Sequence, residues 1–409
     1  MKITAVVLAC AVATLVCAVG SEEGCRLQRY SHVLAASAEH HPHHEESSSG
    51  ASGAFLAPAT RAELEELLVA AEEAHHGHVA GDSAASFLNH LAQLPRAELH
   101  SGEPIRLGSG RHIYEWVTGW CQLPADMQLG NTHGAVLVNA AGEVLVNTDS
   151  RHAVMVFERA GKFLRSLAPE CAGGAHGMVT ADEGKGEVLW LAHTARHEVL
   201  KLDADGKVLQ TLAWPEASGR YAKKEQFHPT SVAVAPDGSV FVADGYGLSW
   251  VHHYAADGRW LSAFGGPGSE PGQMRTPHGL LLDTRTTPPT LLVADRENHR
   301  LQRFDLEGKL VKVINGDLRR PCKMSLHAGD LAVADLAGRV TILDKDDKLV
   351  THLGDQPDTN LRANNGVPRE LWKDGEFLAP HGLTFDQDGN LYIMDWLALG
   401  RVTKLQRVK

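Results

Sequence analysis

The chain has 409 residues and a formal charge of −11, with 43% hydrophobic and 22% charged residues. That composition belongs to an ordinary globular protein with room for one large core or two modest ones. The acidic balance argues against a nucleic-acid partner, whose phosphates need a basic face. Histidine is the outlier, at 24 residues.

Residues 1–20 read as a secretory signal. Lys2 opens it, Ile3 to Val19 is apolar, and Ala18-Val19-Gly20 offers small residues for cleavage before Ser21. The alternative is an uncleaved anchor, since the apolar run is near the lower limit for spanning. The expectation is a secreted or periplasmic protein with no membrane span once the signal is removed. Residues 21–58, with His40-His41-Pro42-His43-His44, read as a disordered His/Ser/Gly-rich spacer, with metal scavenging as the alternative. Residues 59–101 read as a short helical leader. The capping box Thr60-Arg61-Ala62-Glu63 starts one helix, and a second runs from Ser83 to Leu94 before Pro95. Outside the signal the cysteines are Cys25, Cys121, Cys171 and Cys322, and their spacing selects no pairing.

From 102 to 409 the pattern is β. Short β-branched segments such as Glu143-Val144-Leu145-Val146 are bounded by turns at Asp205-Gly206, Asp237-Gly238, Asp257-Gly258, Glu307-Gly308 and Asp388-Gly389. A histidine precedes an aspartate by about sixteen residues in unit after unit, at intervals near fifty. The pairs are His133 with Asp149, His228 with Asp244, His278 with Asp295 and His381 with Asp395. His176 pairs with His193, the one substituted aspartate, and Cys322 with Asp335 replaces histidine by cysteine. Six such units predict an all-β, six-bladed propeller. The last unit lacks an outer strand, which His112–Val117 supplies from the other end. Recurrence in nearly every blade marks the aspartates as structural acceptors for loop N–H groups.

Phrases such as His228-Pro229-Thr230-Ser231-Val232-Ala233-Val234 and Leu292-Val293-Ala294-Asp295-Arg296-Glu297-Asn298 resemble NHL repeats. Within that class, residues 125–408 resemble the peptidyl-α-hydroxyglycine α-amidating lyase family. The resemblance implies an axial zinc ion held by His176, His278 and His381, each followed by glycine. These histidines are 102 and 103 residues apart, two blades each. Every second blade of a sixfold ring gives threefold symmetry, so three imidazoles meet on the axis and leave metal positions open. The alternative is a histidine kept for turn and packing reasons, since five blades share it.

The resemblance also implies catalytic roles for Tyr246, as base, and for Arg296 and Arg151, as a carboxylate clamp. The alternatives are a rim tyrosine packed beside Trp250 and surface ion pairs. The family's aspartate after the third histidine is Gly382 here, and its methionine two residues before that histidine is Ala379. The first change removes an acid tied to the family's calcium, which makes calcium doubtful. The cysteines flanking the tyrosine blade are Phe227 and Gly247, so that disulfide is absent. His133, His228 and Cys322 are expected to line the channel.

The expected function is therefore an exported, zinc-dependent, lyase-like enzyme, acting on a small-molecule or peptide substrate in the central channel. It would split a C–N bond of a peptidyl-α-hydroxyglycine to give an amide and glyoxylate. The alternative from another class is a non-catalytic NHL propeller that binds protein or glycan. A lactonase-type hydrolase, with calcium on oxygen ligands, is disfavoured by the imidazole ring. The sequence does not set the oligomeric state.

Overall fold

The structure is a computed structural model that describes residues 103–184 and 186–408. The signal, spacer and helical leader fall outside the described residues. Among the described residues no helix is long and apolar enough to cross a membrane, and Cys121, Cys171 and Cys322 are unpaired.

The alternating β-branched segments form six antiparallel sheets, the blades of a propeller. Each of the first five is a meander of four consecutive strands, starting at β3 (Val136–Val138), β7 (Ala175–Asp182), β11 (Ser231–Val234), β15 (Pro277–Asp283) and β19 (Pro321–His327). The sixth combines β23 (Pro380–Phe385), β24 (Leu391–Asp395) and β25 (Arg401–Arg407) with two strands from the other end of the sequence. One is the expected β2 (His112–Val117), which pairs Tyr114 with Arg407 and Trp116 with Leu405. The other, β1 (Arg106–Ser109), lies outside it and makes this blade five-stranded, where one closing strand was expected. Joining the two ends in one blade leaves no open edge between first and last blades.

Residues facing alternate sides of each blade pack against the two neighbouring blades, so the core is a set of inter-blade layers rather than one centre. Leu292, Ala294 and Leu301 of the fourth blade meet Met324, Leu331 and Val333 of the fifth. Trp116 on the closing strand packs at a tilt against Phe377, with ring centroids 5.0 Å apart. The Gly residues of the five predicted turns all have φ between +80° and +91°, the geometry that only glycine adopts cheaply.

The recurring aspartates do bind the loops. Asp244 accepts from the backbone N–H of His228 and Leu248, Asp295 from Arg275, Asp335 from Arg319, and Asp395 from Leu378 and Ala379. His193 keeps the acceptor role through Nδ1, which receives the Arg196 N–H. Asp149 differs, taking the side-chain amide of Asn131.

Candidate metal centre and active site

His176, His278 and His381 are each the second residue of a first strand, and at each the pairing with the second strand slips. A bulge of that kind re-aims a side chain out of the pleat. Here it turns the imidazoles together, with ring centroids 5.0 Å (His176–His278), 5.0 Å (His176–His381) and 4.5 Å (His278–His381) apart. The same slip occurs at Cys322 in the fifth blade.

Each of the three rings is fixed by the following blade. His176 Nδ1 is 2.7 Å from the Thr230 carbonyl oxygen, His278 Nδ1 3.2 Å from that of Cys322, and His381 Nδ1 2.8 Å from that of Gly134. A carbonyl only accepts, so Nδ1 carries the proton and Nε2 keeps its lone pair. That is the arrangement of a metal-ligating histidine with its outer partner. The glycine after each histidine makes the approach possible: a Cβ on Gly177 or Gly279 would sit 2.3 Å or 2.1 Å from the same carbonyl oxygen. Burial, followed by neighbouring imidazoles and Arg296, holds all three histidines well below their usual range, so they are neutral.

Tyr246 enters from the loop after β12 (Val240–Ala243). That loop is tied down by Asp244 and pressed on the fourth blade, where a Cβ on Gly245 would meet the Pro277 carbonyl at 2.4 Å. Its Oη lies 2.9 Å from His278 Nε2, 3.1 Å from His133 Nε2 and 3.3 Å from His176 Nε2. A phenol donates one proton, so it can satisfy only one of His176 and His278, both of which present a lone pair at Nε2. His381 Nε2 has no hydrogen-bond partner although the residue is 1% exposed. Buried lone pairs left facing one another suit a cation, and an all-imidazole donor set suits zinc rather than calcium. Burial pushes the Tyr246 hydroxyl up to about 12, with the Arg296 guanidinium pulling the other way.

Arg296 starts a single 3-10 turn, Arg296–Asn298, and its Nη1 donates to Tyr246 Oη at 3.3 Å. Arg151 is not brought to this cluster: it is exposed, and its Nε donates to the adjacent His152. Arg320, which sequence reasoning missed, stands nearer. Its Nη2 donates to Glu297 Oε1 at 2.7 Å, the oxygen that also takes Arg296 Nε at 2.9 Å, and its own Nε is buried without a partner. No motif marks it, because the link crosses between blades. His133 joins the cluster, 4.9 Å from His176 and 5.0 Å from His381 between centroids. His228 instead packs edge-on against His197 at 4.7 Å. Below the ring, the first strands of the six blades line a cavity of about 780 Å³ that includes Lys323. Burial lowers the Lys323 ammonium to about 8.

The chain is similar to peptidylglycine alpha-amidating monooxygenase of Rattus norvegicus, 28% identical over 231 residues, covering 54% of this chain and 22% of the relative. It is also similar to peptidyl-alpha-hydroxyglycine alpha-amidating lyase 1 of Drosophila melanogaster, 34% identical over 142 residues, 32% of this chain and 25% of the relative. The chain is thus a propeller similar in part of its sequence to proteins named as amidating lyases. It spans well under two thirds of the length of either. A gluconolactonase structure from Xanthomonas campestris shares the fold at 16% identity and a TM-score of 0.50, covering 75% of this chain and 95% of that one. No family model matches the sequence.

Proposed function

We propose that the protein is an exported, zinc-dependent lyase that splits peptidyl-α-hydroxyglycines into a peptide amide and glyoxylate. The observation that carries it is the convergence of His176 and His278 Nε2 on the single Tyr246 hydroxyl, with the partnerless Nε2 of His381 on the adjoining ring. The similarity to the amidating lyases supports the substrate class, and the apolar amino-terminal run supports export.

His176, His278 and His381 would hold the ion, each oriented by the next blade's carbonyl. Zinc bound there supplies Lewis-acid charge beside the phenol, which favours the phenolate form. Tyr246 Oη takes the proton of the substrate's α-hydroxyl. The C–O bond becomes a carbonyl as the C–N electron pair leaves with the amide nitrogen, which is then reprotonated. Arg296 donates to Tyr246 Oη, steadying its negative charge. Arg296 and Arg320, joined through Glu297, face the substrate carboxylate from two blades.

Glyoxylate release from a peptidyl-α-hydroxyglycine tests the proposal. Wild type turns over. Tyr246→Phe loses about 10²–10⁴ in kcat with an unchanged circular dichroism spectrum. No release by zinc-loaded wild type contradicts the proposal and leaves a binding propeller.

A further inference from the structure

On the fifth blade the ring position is not histidine. Cys322 follows Pro321 at the slipped start of β19, as His278 and His381 follow their prolines. It is fully buried, and its Sγ lies within 4.8 Å of a ring nitrogen of His278 and one of His381. Those two imidazoles commit Nδ1 to backbone carbonyls, one of them the carbonyl of Cys322 itself. That leaves Nε2 as the ligand atom of each ring: His278 Nε2 has the Tyr246 hydroxyl at 2.9 Å, and His381 Nε2 has no hydrogen-bond partner.

A second trio, His133, His176 and His381, also has its ligand atoms within 4.8 Å of one another. Both trios draw on His381, whose one free lone pair serves one ion. Between them the two sets include His176, His278 and His381, the ligands proposed above, and one adds a sulfur that binds thiophilic metals far better than hard ones.

We propose that Cys322 is a metal ligand, supplying a thiolate to the ion that His278 and His381 hold, and so makes this a thiophilic site. The inference rests on the metal-binding role proposed above for the ring. On binding, the S–H bond breaks, its proton passes to solvent, and the sulfur pair is donated to the metal. Burial pushes the Cys322 thiol up to about 11 and the guanidinium of Arg296 beside the sulfur pulls the other way, so it is the metal charge that would stabilise the thiolate.

Cobalt(II) is the probe, because a thiolate ligand gives a sulfur-to-cobalt charge-transfer band that imidazoles do not. The full chain is loaded and compared with Cys322→Ser, Cys322→Ala and the triple variant His176→Ala/His278→Ala/His381→Ala, with circular dichroism confirming the β fold of each. Subtracting the triple variant removes cobalt bound by the histidine-rich residues 40–44. The expected result is one ring-dependent cobalt per chain whose near-ultraviolet charge-transfer band disappears in both Cys322 variants. Ring-dependent cobalt without that band overturns the thiolate and leaves the imidazole site standing. Equal cobalt in wild type and triple variant overturns both.

Discussion

Three glycines make a graded test of how the ring is built. A Cβ placed on Gly279 would lie 2.1 Å from the Cys322 carbonyl oxygen; on Gly177, 2.3 Å from that of Thr230; on Gly382, 2.9 Å from that of Gly134. Real Cβ atoms stay beyond 3.0 Å, so the first two backbones must retreat by roughly 0.9 and 0.7 Å and the third by roughly 0.1 Å. Overpacking of this kind costs about 1–3 kcal/mol. Displacing the carbonyl also weakens the bond from the histidine Nδ1, worth about 1 kcal/mol. Against this stands the gain of about 0.4–1 kcal/mol from replacing glycine by alanine in the unfolded chain. Gly279→Ala is therefore expected to lose about 2–3 kcal/mol, and Gly177→Ala slightly less. Gly382→Ala should stay within about 1 kcal/mol of wild type, the gain and the small clash cancelling. Guanidinium unfolding at constant m-value measures the series. Equal losses at Gly279 and Gly382, or none at Gly279, would show that the carbonyls do not fix the ring.

Two further outcomes concern residues beside the cluster and away from it. Arg320→Ala should raise KM for a peptidyl-α-hydroxyglycine about 10–100-fold, the worth of a charge-assisted hydrogen bond of about 1.5–3 kcal/mol. Arg151→Ala should change it little, and the reverse ranking in steady-state kinetics counts against the clamp drawn here. Away from the ring, buried His252 accepts the Trp260 indole N–H at Nδ1, donates from Nε2 to Tyr221 Oη, and Tyr221 donates to Asp244. Burial, then Arg220, lowers it to about 3. A histidine depressed in the fold stabilises fully above its unfolded value near 6.5, and that stability is lost as pH falls towards 3. Between pH 6.5 and 4 wild type should lose about 3 kcal/mol through this residue alone. His252→Gln should show a shallower slope in pH-dependent unfolding, and parallel slopes would refute the assignment.

The blade count, the ring of histidines and the loop-binding aspartates were legible because each repeats at one blade position, and repetition converts spacing into geometry. The circular closure was legible through the apolar alternation of His112–Val117. Strand β1 was not: Arg-Leu-Gly-Ser has a single apolar residue, and only pairing with Glu115 and its neighbours makes it a strand. At Gly247 sterics decide the residue. A Cβ at Gly247 would lie 2.3 Å from the Gln226 carbonyl oxygen, so the position has no room for a side chain. Arg151 and Arg320 show the limit. The first sits in the matching stretch of sequence but points to its neighbour. The second reaches the site through an acid on another blade, and no local pattern encodes a contact across 23 residues.

The central claim is that three imidazoles from alternate blades share one metal ion. Its most direct measurement is elemental analysis of the wild-type chain and the His176→Ala/His278→Ala/His381→Ala variant after equal exposure to zinc and exhaustive dialysis. The account predicts a difference of one zinc per chain. Identical zinc content in two folded proteins would contradict it.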